Sequence, residues 1–322
     1  MYKNKLGFIF SCFTCIIHVS FAQVKWKNVD SLYAPLPTGM HVYFTNDSLN
    51  GAPNIAYYIS ADLKNKDLDF TTALGNGKRF TPSEYYTQYQ QPIVVVNCTF
   101  FEFKYNQNLN IVVKDGLIKA HNLKSIANKK DSSFFYVTRS ALGIDKKRNA
   151  SIVWAYTDST KKYPYAFERP TQSKGFKSNP NVNEIALQPN GTSIPYKKWK
   201  VQTAVGGGPR LLNNGMIEIT NNEERMFSGK AIDDKHPRTA IGYTDNNTLI
   251  VMVIQGRAKG IADGVTLTQE AQLLKDVGCV NAINLDGGGS SCMLVNGKPT
   301  ITVSDKEGQR PVPAVLMIQQ TK

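Results

Sequence analysis

Apolar residues along this chain recur mostly at period two, in short runs punctuated by turn residues. "HVYFT" and "NIAYYIS" alternate, as strands with one buried face do. "PIVVVNCTFF" is a continuous β-branched run and predicts a buried strand ending at Asn97. Paired runs around tight turns predict hairpins: "NIVVKDGLIKA" about Asp115-Gly116, "SALGIDKKRNASIVWAYT" on the same plan, "RLLNNGMIE" about Asn214-Gly215, and "RTAIGYTDNNTLIVMVIQG". "AVLMIQ" predicts a closing strand. Helical signals are few. "RFTPSEYY" predicts a short helix capped by Thr81 with Pro82 at its first position. In "TLTQEAQLLKDVG" Thr266 and Gln269 form a capping box, Leu267, Ala271, Leu274 and Val277 share one face, and Gly278 stops the helix before the strand "VNAINLD". Residues 158–200 lack apolar periodicity and predict a long surface loop or an excursion over the site. The pattern predicts an α+β fold of strand-rich mixed sheets with few flanking helices and a cleft at strand ends.

Composition adds bounds. The 322 residues are 41% hydrophobic and 20% charged, enough for one large core or two modest ones. The start, "MYKNKLGFIFSCFTCIIHVSFAQ", has a basic n-region at Lys3 and Lys5, an apolar stretch and small residues before position 23. It predicts a signal peptide over 1–22, cleaved after Ala22, and export to the periplasm or the medium. The apolar stretch falls short of the roughly 20 residues that a membrane span needs, and the residues before Cys12 and Cys15 fit a lipid-attachment signal poorly. Cleavage leaves Cys98, Cys279 and Cys292, an odd number without a Cys-x-x-Cys pair, so buried free thiols are expected rather than a disulfide framework or a zinc site. The net charge of +13 is carried by lysines in scattered clusters such as "DKKRN" and "YKKWK", without an arginine-rich arm. That distribution fits a solvated surface with a bias toward anionic ligands, and not nucleic acid.

The chemistry concentrates in "NAINLDGGGSSCMLVNGKP", where Asp286 ends an apolar run and Gly287, Gly288, Gly289 and Ser290 follow. A turn needs one or two glycines. Three in a row let the backbone approach a ligand closely, and suit a phosphate, a carboxylate or a sugar. The alternative role for Asp286 is to cap the glycine turn. No Gly-Lys-Ser/Thr follows, so this is not a phosphate loop of the nucleotide-binding kind. "VGGGPR" supplies a second such loop, Gly206, Gly207 and Gly208, with Arg210 just after it. Arg238, Arg257 and Arg310 also lie at strand ends or in adjoining loops, and their planar forks suit phosphate oxygens. Asn97 is a candidate partner for a sugar hydroxyl; Phe100 and Phe101 fit core better. Partners for Asp286 are sought among Glu102, Glu270 and His236. No dense carboxylate cluster is present, so neither a metal nor another cofactor is implied.

"VNCTFF", "VGGGPRLL", "HPRTAIGY", "TLTQEAQLLKDVGCVNAINLDGGGSS" and "GQRPVPAVLMI", in that order, resemble blocks of the phosphodiester glycosidase family. The resemblance runs from about Ile93 to Ile318. It implies a glycosidase domain over 91–322, with the strand-rich segment 23–90 part of the same fold. It implies hydrolysis of a sugar-1-phosphodiester at the anomeric C–O bond, with Asp286 as the carboxylate acting on C1 as nucleophile, base or oxocarbenium stabiliser. Two positions depart from the family pattern: Cys98 where similar sequences carry Gly, and Gln255 where they often carry Asp. The competing reading is a non-catalytic glycan- or cell-wall-binding protein that uses the same cleft.

Overall fold

The computed structural model describes residues 23–123, 125–177, 180–188 and 191–321; the predicted signal peptide lies outside them. Three antiparallel sheets carry the fold. The eight-stranded sheet runs in the order Lys27–Asn28, Met40–Thr45, Ala56–Asp62, Thr248–Ile254, Arg238–Thr244, Cys279–Asn284, Arg210–Asn213, Met216–Ile217. The five-stranded sheet runs Lys298–Pro299, Met293–Val295, Val94–Asn97, Ala314–Gln320, Leu68–Leu74. The seven-stranded sheet is centred on Ala150–Tyr156, Arg139–Ile144 and Thr203–Gly206. Residues before position 90 are woven into the first two, Ala56–Asp62 pairing with Thr248–Ile254 and Leu68–Leu74 with Ala314–Gln320.

Period-two alternation places the core. In Thr248–Ile254, Leu249, Val251 and Val253 enter the central cluster, where the inner faces of all three sheets meet. Ile250, Met252 and Ile254 face the opposite way, against Leu267, Ala271 and Leu274 of the helix Leu267–Asp276. That helix has the expected Thr266/Gln269 capping box, and Gly278 follows at φ +90. It carries the chain over Arg238–Thr244 to Cys279–Asn284. The helix Pro82–Gln88 is capped by Thr81 and Glu84 and buries Tyr85 against the outer face of the five-stranded sheet.

The four expected hairpins form, and the three cysteines of the described chain are buried free thiols. Residues 158–200 differ from the expectation. They add Tyr165–Phe167 and Tyr196–Lys198 to the edge of the seven-stranded sheet, and Gln172–Gly175 to a small separate one. These strands are three or four residues long, too short to leave a periodic signature.

Antiparallel register explains why the polar strand ends gather. Arg238 pairs with Ile254 and Ala240 with Asn284, so one strand begins where its two neighbours end. Asn97, likewise, pairs with Val315, near the start of Ala314–Gln320. The amide of Asp286 donates to the carbonyl of Cys98 at 2.8 Å, joining the two sheets at this edge.

Candidate active site

Beyond Asn284 the chain leaves the sheet as a tight turn. Leu285 N–H donates to Thr239 O at 2.7 Å, and Gly288 N–H to Pro237 O at 2.8 Å. The glycines answer three separate close approaches. A Cβ on Gly287 would stand 2.8 Å from Pro237 O. Gly288 has φ +62, and a Cβ there would meet Arg257 Nη2 at 3.1 Å. A Cβ on Gly289 would overlap the guanidinium of Arg310. Two arginines far apart in sequence thus lie directly on the turn that follows Asp286.

The Asp286 carboxyl is pushed up to about 7, chiefly by burial; the Ser290 hydroxyl, the charge of Arg310 and the Gly287 N–H oppose that rise. A chain of contacts fixes this arrangement. Asp305 pairs with Arg310 Nε at 2.6 Å, Arg310 Nη1 donates to Ser290 Oγ at 3.4 Å, and Ser290 bonds the Asp286 side chain. His236 lies alongside, with Nδ1 3.4 Å from Arg257 Nη2. An arginine only donates, so Nδ1 is the acceptor and Nε2 carries the hydrogen of the neutral ring. Burial and the charges of Arg238 and Arg257 hold the His236 pKa below its ordinary value.

Arg238 lies beneath the turn. Its Nε donates to Val265 O and its Nη2 to Asp234 O, both at 3.1 Å, and its guanidinium stands 5.8 Å from the centre of the Phe227 ring. Glu270, in the first turn of its helix, is fully buried, and neither carboxylate oxygen has a hydrogen-bond partner. Burial pushes its pKa up to about 8, opposed by the charge of Arg238. Its carboxyl therefore reaches no open surface.

Other sequence candidates support the turn from behind or point away from it. Asn97 is fully buried; its Nδ2 donates to Asp286 O at 2.5 Å, and its Oδ1 accepts from Thr239 Oγ1 and Cys292 N. It holds the turn from behind. The amides of Gly206, Gly207 and Gly208 donate to Ile111 O, Ser140 O and Asn284 O, so this loop offers no row of donors to an anion. These glycines serve packing between sheets: a Cβ on Gly206 would stand 2.8 Å from Asn110 Cβ, and one on Gly208 2.7 Å from Glu224 Oε2. Arg210 turns away from Asp286, toward Leu212 O, the Asn281 side chain and the ring of Trp154. Glu102 caps a turn by accepting from the amides of Lys104 and Tyr105. The two departures from the family pattern are buried supports. Cys98 offers its carbonyl to Asp286, and Gln255 accepts from Thr302 N at 3.0 Å. Asp305, Asn110, Arg139, Met226 and Phe227 join the neighbourhood without any signal in the sequence beyond their residue type.

A cavity of about 970 Å³ does not coincide with this turn. It lies by Asp69, Gln319 and Gln320, at the opposite end of the five-stranded sheet, and holds no comparable group. A smaller one of about 160 Å³ is lined by Phe100, Asn110, Arg139 and Phe227 among others; Phe227 faces Arg238, and Asn110 bonds Gly207 O. Among the described residues no group of three His, Cys, Asp or Glu side chains is placed to hold a metal ion, and no helix is long and apolar enough to cross a membrane.

Comparison with known proteins places the chain in a family. The sequence model described as phosphodiester glycosidase matches residues 90–319. A mouse N-acetylglucosamine-1-phosphodiester alpha-N-acetylglucosaminidase is 35% identical over 114 residues, 35% of this chain and 22% of that enzyme. The SPbeta prophage-derived uncharacterized protein YomE of Bacillus subtilis (strain 168) is 42% identical over 81 residues, 25% of this chain and 12% of that protein. In both, the match covers less than a quarter of the relative's own length. The catalytic domain of the zebrafish N-acetylglucosamine-1-phosphodiester alpha-N-acetylglucosaminidase superposes with a TM-score of 0.60 at 17% identity, over 93% of this chain and 89% of that one. At that identity the likeness is one of fold.

Proposed function

The chain belongs to the phosphodiester glycosidase family, and from that premise we propose that it hydrolyses a sugar-1-phosphodiester at the anomeric C–O bond, giving the free sugar and a phosphomonoester. One observation carries the reading: the carboxylate of Asp286 is followed by a glycine turn on which two guanidinium groups, Arg257 and Arg310, lie directly.

The chemistry suits that pairing. A glycosidase with a poor leaving group uses a second carboxylic acid to protonate it. Here the leaving group is a phosphomonoester with a second pKa of about 6, which leaves without full protonation once its charge is held. Arg257 and Arg310 hold that charge, and Asp286 in its ionised form acts on C1 as the sugar takes on oxocarbenium character. Arg257 is exposed and free to close on a phosphate oxygen, while Arg310 is oriented by Asp305. Neutral His236 positions Arg257 through Nδ1 and offers the hydrogen on Nε2 to the leaving oxygen. The short basic and apolar start of the chain supports export, with Gln23 as the first residue of the mature protein.

Incubation with sugar-1-phosphodiesters in heavy-oxygen water tests the reaction. Cleavage at the anomeric carbon puts the label in the sugar. Label in the phosphate instead, or no hydrolysis across a panel of sugars, sinks the proposal.

A further inference from the structure

The reaction as proposed leaves the 160 Å³ cavity without a role. Phe100, Leu109, Leu123, Met226 and Phe227 form its apolar walls, and Asn110 and Arg139 supply its polar part. Arg139 is only 8% exposed, yet its guanidinium is under-paired. Nε has no partner, Nη1 meets the sulfur of Met226, and Nη2 reaches Arg225 O only at 3.5 Å. Five N–H donors therefore face one long carbonyl contact and a thioether, a weak acceptor. Glu224 is the nearby acid, but its oxygens are taken by Ser140, Trp154, Arg210 and Thr220. A buried cation left in this state is expensive unless something completes it.

Two series of contacts link the cavity to the Asp286 turn. Phe227 stacks edge-on with Phe100 at 5.9 Å and faces Arg238, whose Cα is 3.6 Å from the Cβ position of Gly287. On the other side Asn110 Nδ2 donates to Gly207 O at 3.0 Å, and Gly207 packs on Asn284 and Leu285.

We propose that this cavity receives a carboxylate carried by the sugar of the substrate, with Arg139 as the residue that recognises it. A planar monoanion matches the guanidinium fork in two parallel hydrogen bonds. A phosphate dianion would turn its remaining oxygens toward Phe and Leu walls, with the Glu224 charge nearby. The volume equals about five water molecules, ample for a carboxylate and its stem. With the ring over Asp286, the acidic arm enters the cavity. The assignment rests on the glycosidase reading only for the position of the ring.

The test is direct titration of the full chain with glucuronate, N-acetylmuramate, and the neutral sugars glucose and N-acetylglucosamine. We expect at least one acid to bind tenfold or more tightly than its neutral counterpart. Glucuronate places the carboxylate on the ring carbon, N-acetylmuramate on an ether arm, so the preferred acid identifies which arm enters. In Arg139→Met the acid-to-neutral ratio falls toward one, and Arg139→Lys restores part of it. Acids binding no better than neutral sugars to the unaltered protein, or a ratio unchanged in a folded Arg139→Met protein, overturn the proposal. Hydrolysis is scored separately. If neither acidic nor neutral sugar-1-phosphodiesters are cleaved, the glycosidase reading fails while the binding ratio still decides the cavity.

Discussion

Arg257 Nη2 lies 3.1 Å from where a Cβ on Gly288 would stand, and Gly288 holds φ +62. The guanidinium rests on the face of the turn that a side chain at position 288 would share. Gly288→Val therefore strains the backbone and displaces the guanidinium at once. We expect a folded but weakly binding protein, or one with a clearly lowered Tm. Near-normal substrate affinity at an unchanged Tm contradicts this fit.

Asp286→Asn keeps the shape of the side chain and removes its charge. Turnover should fall by on the order of a hundredfold or more if that charge stabilises the transition state. Stability should move the other way. Burial raises the folded pKa to about 7 from an ordinary 3.8. The wild-type side chain thus contributes fully below about pH 4 and loses that contribution as pH climbs through 7. Thermal melts should show Asp286→Asn more stable than wild type at pH 8, by on the order of several °C, and little different at pH 4. A folded variant with near-normal hydrolysis removes Asp286 from the mechanism.

Ser290→Ala tests the chain that runs from Asp305 through Arg310 to Asp286. The Ser290 hydroxyl lowers the Asp286 pKa, so its loss raises that pKa further. If ionised Asp286 is the active form, the acidic limb of the pH–rate profile shifts upward from about 7. The rate at pH 6 should fall more than the rate at pH 9. A profile that drops evenly at all pH values points to a purely structural role for Ser290.

Arg257 is exposed, and its Nη2 meets His236 Nδ1 at 3.4 Å. Arg257→Gln should fold normally yet bind a phosphodiester about tenfold to a hundredfold more weakly, a loss on the scale of one or two charge-assisted hydrogen bonds. Steady-state kinetics at two salt concentrations check this. Wild-type affinity should weaken with salt more than that of the variant.

Glu270→Gln separates stability from catalysis. The folded pKa of about 8 lies above the ordinary 4.5. The wild-type protein therefore loses stability as pH rises from about 4.5 through 8, and the glutamine variant should not. Tm measured from pH 5 to 9 should diverge in favour of the variant at the alkaline end. Parallel curves contradict a neutral buried carboxyl at this position.

The sequence by itself determined the strands, the hairpins and the two capped helices, and it pointed to Asp286–Ser290 as the candidate chemical centre. Those features are local: side-chain alternation, turn residues and capping boxes act over two to ten residues. It also grouped Gly206, Gly207, Gly208 and Arg210 with that centre on residue type alone; in the structure Gly207 and Gly208 pack behind the strand end at Asn284 and Leu285. The amides of the first glycine loop are taken by three different backbone segments, and Arg210 points along the sheet toward Asn281. The register of the antiparallel strands brings Arg257 and His236 to one turn, because Arg238 pairs with Ile254 while Ala240 pairs with Asn284, and the meeting of the two sheets adds Arg310. Only packing could bury Glu270, and only the meeting of two sheets could leave Arg139 under-paired beside Phe100 and Phe227. Such contacts join residues tens to hundreds of positions apart, where no periodicity along the chain records which partner each side chain meets.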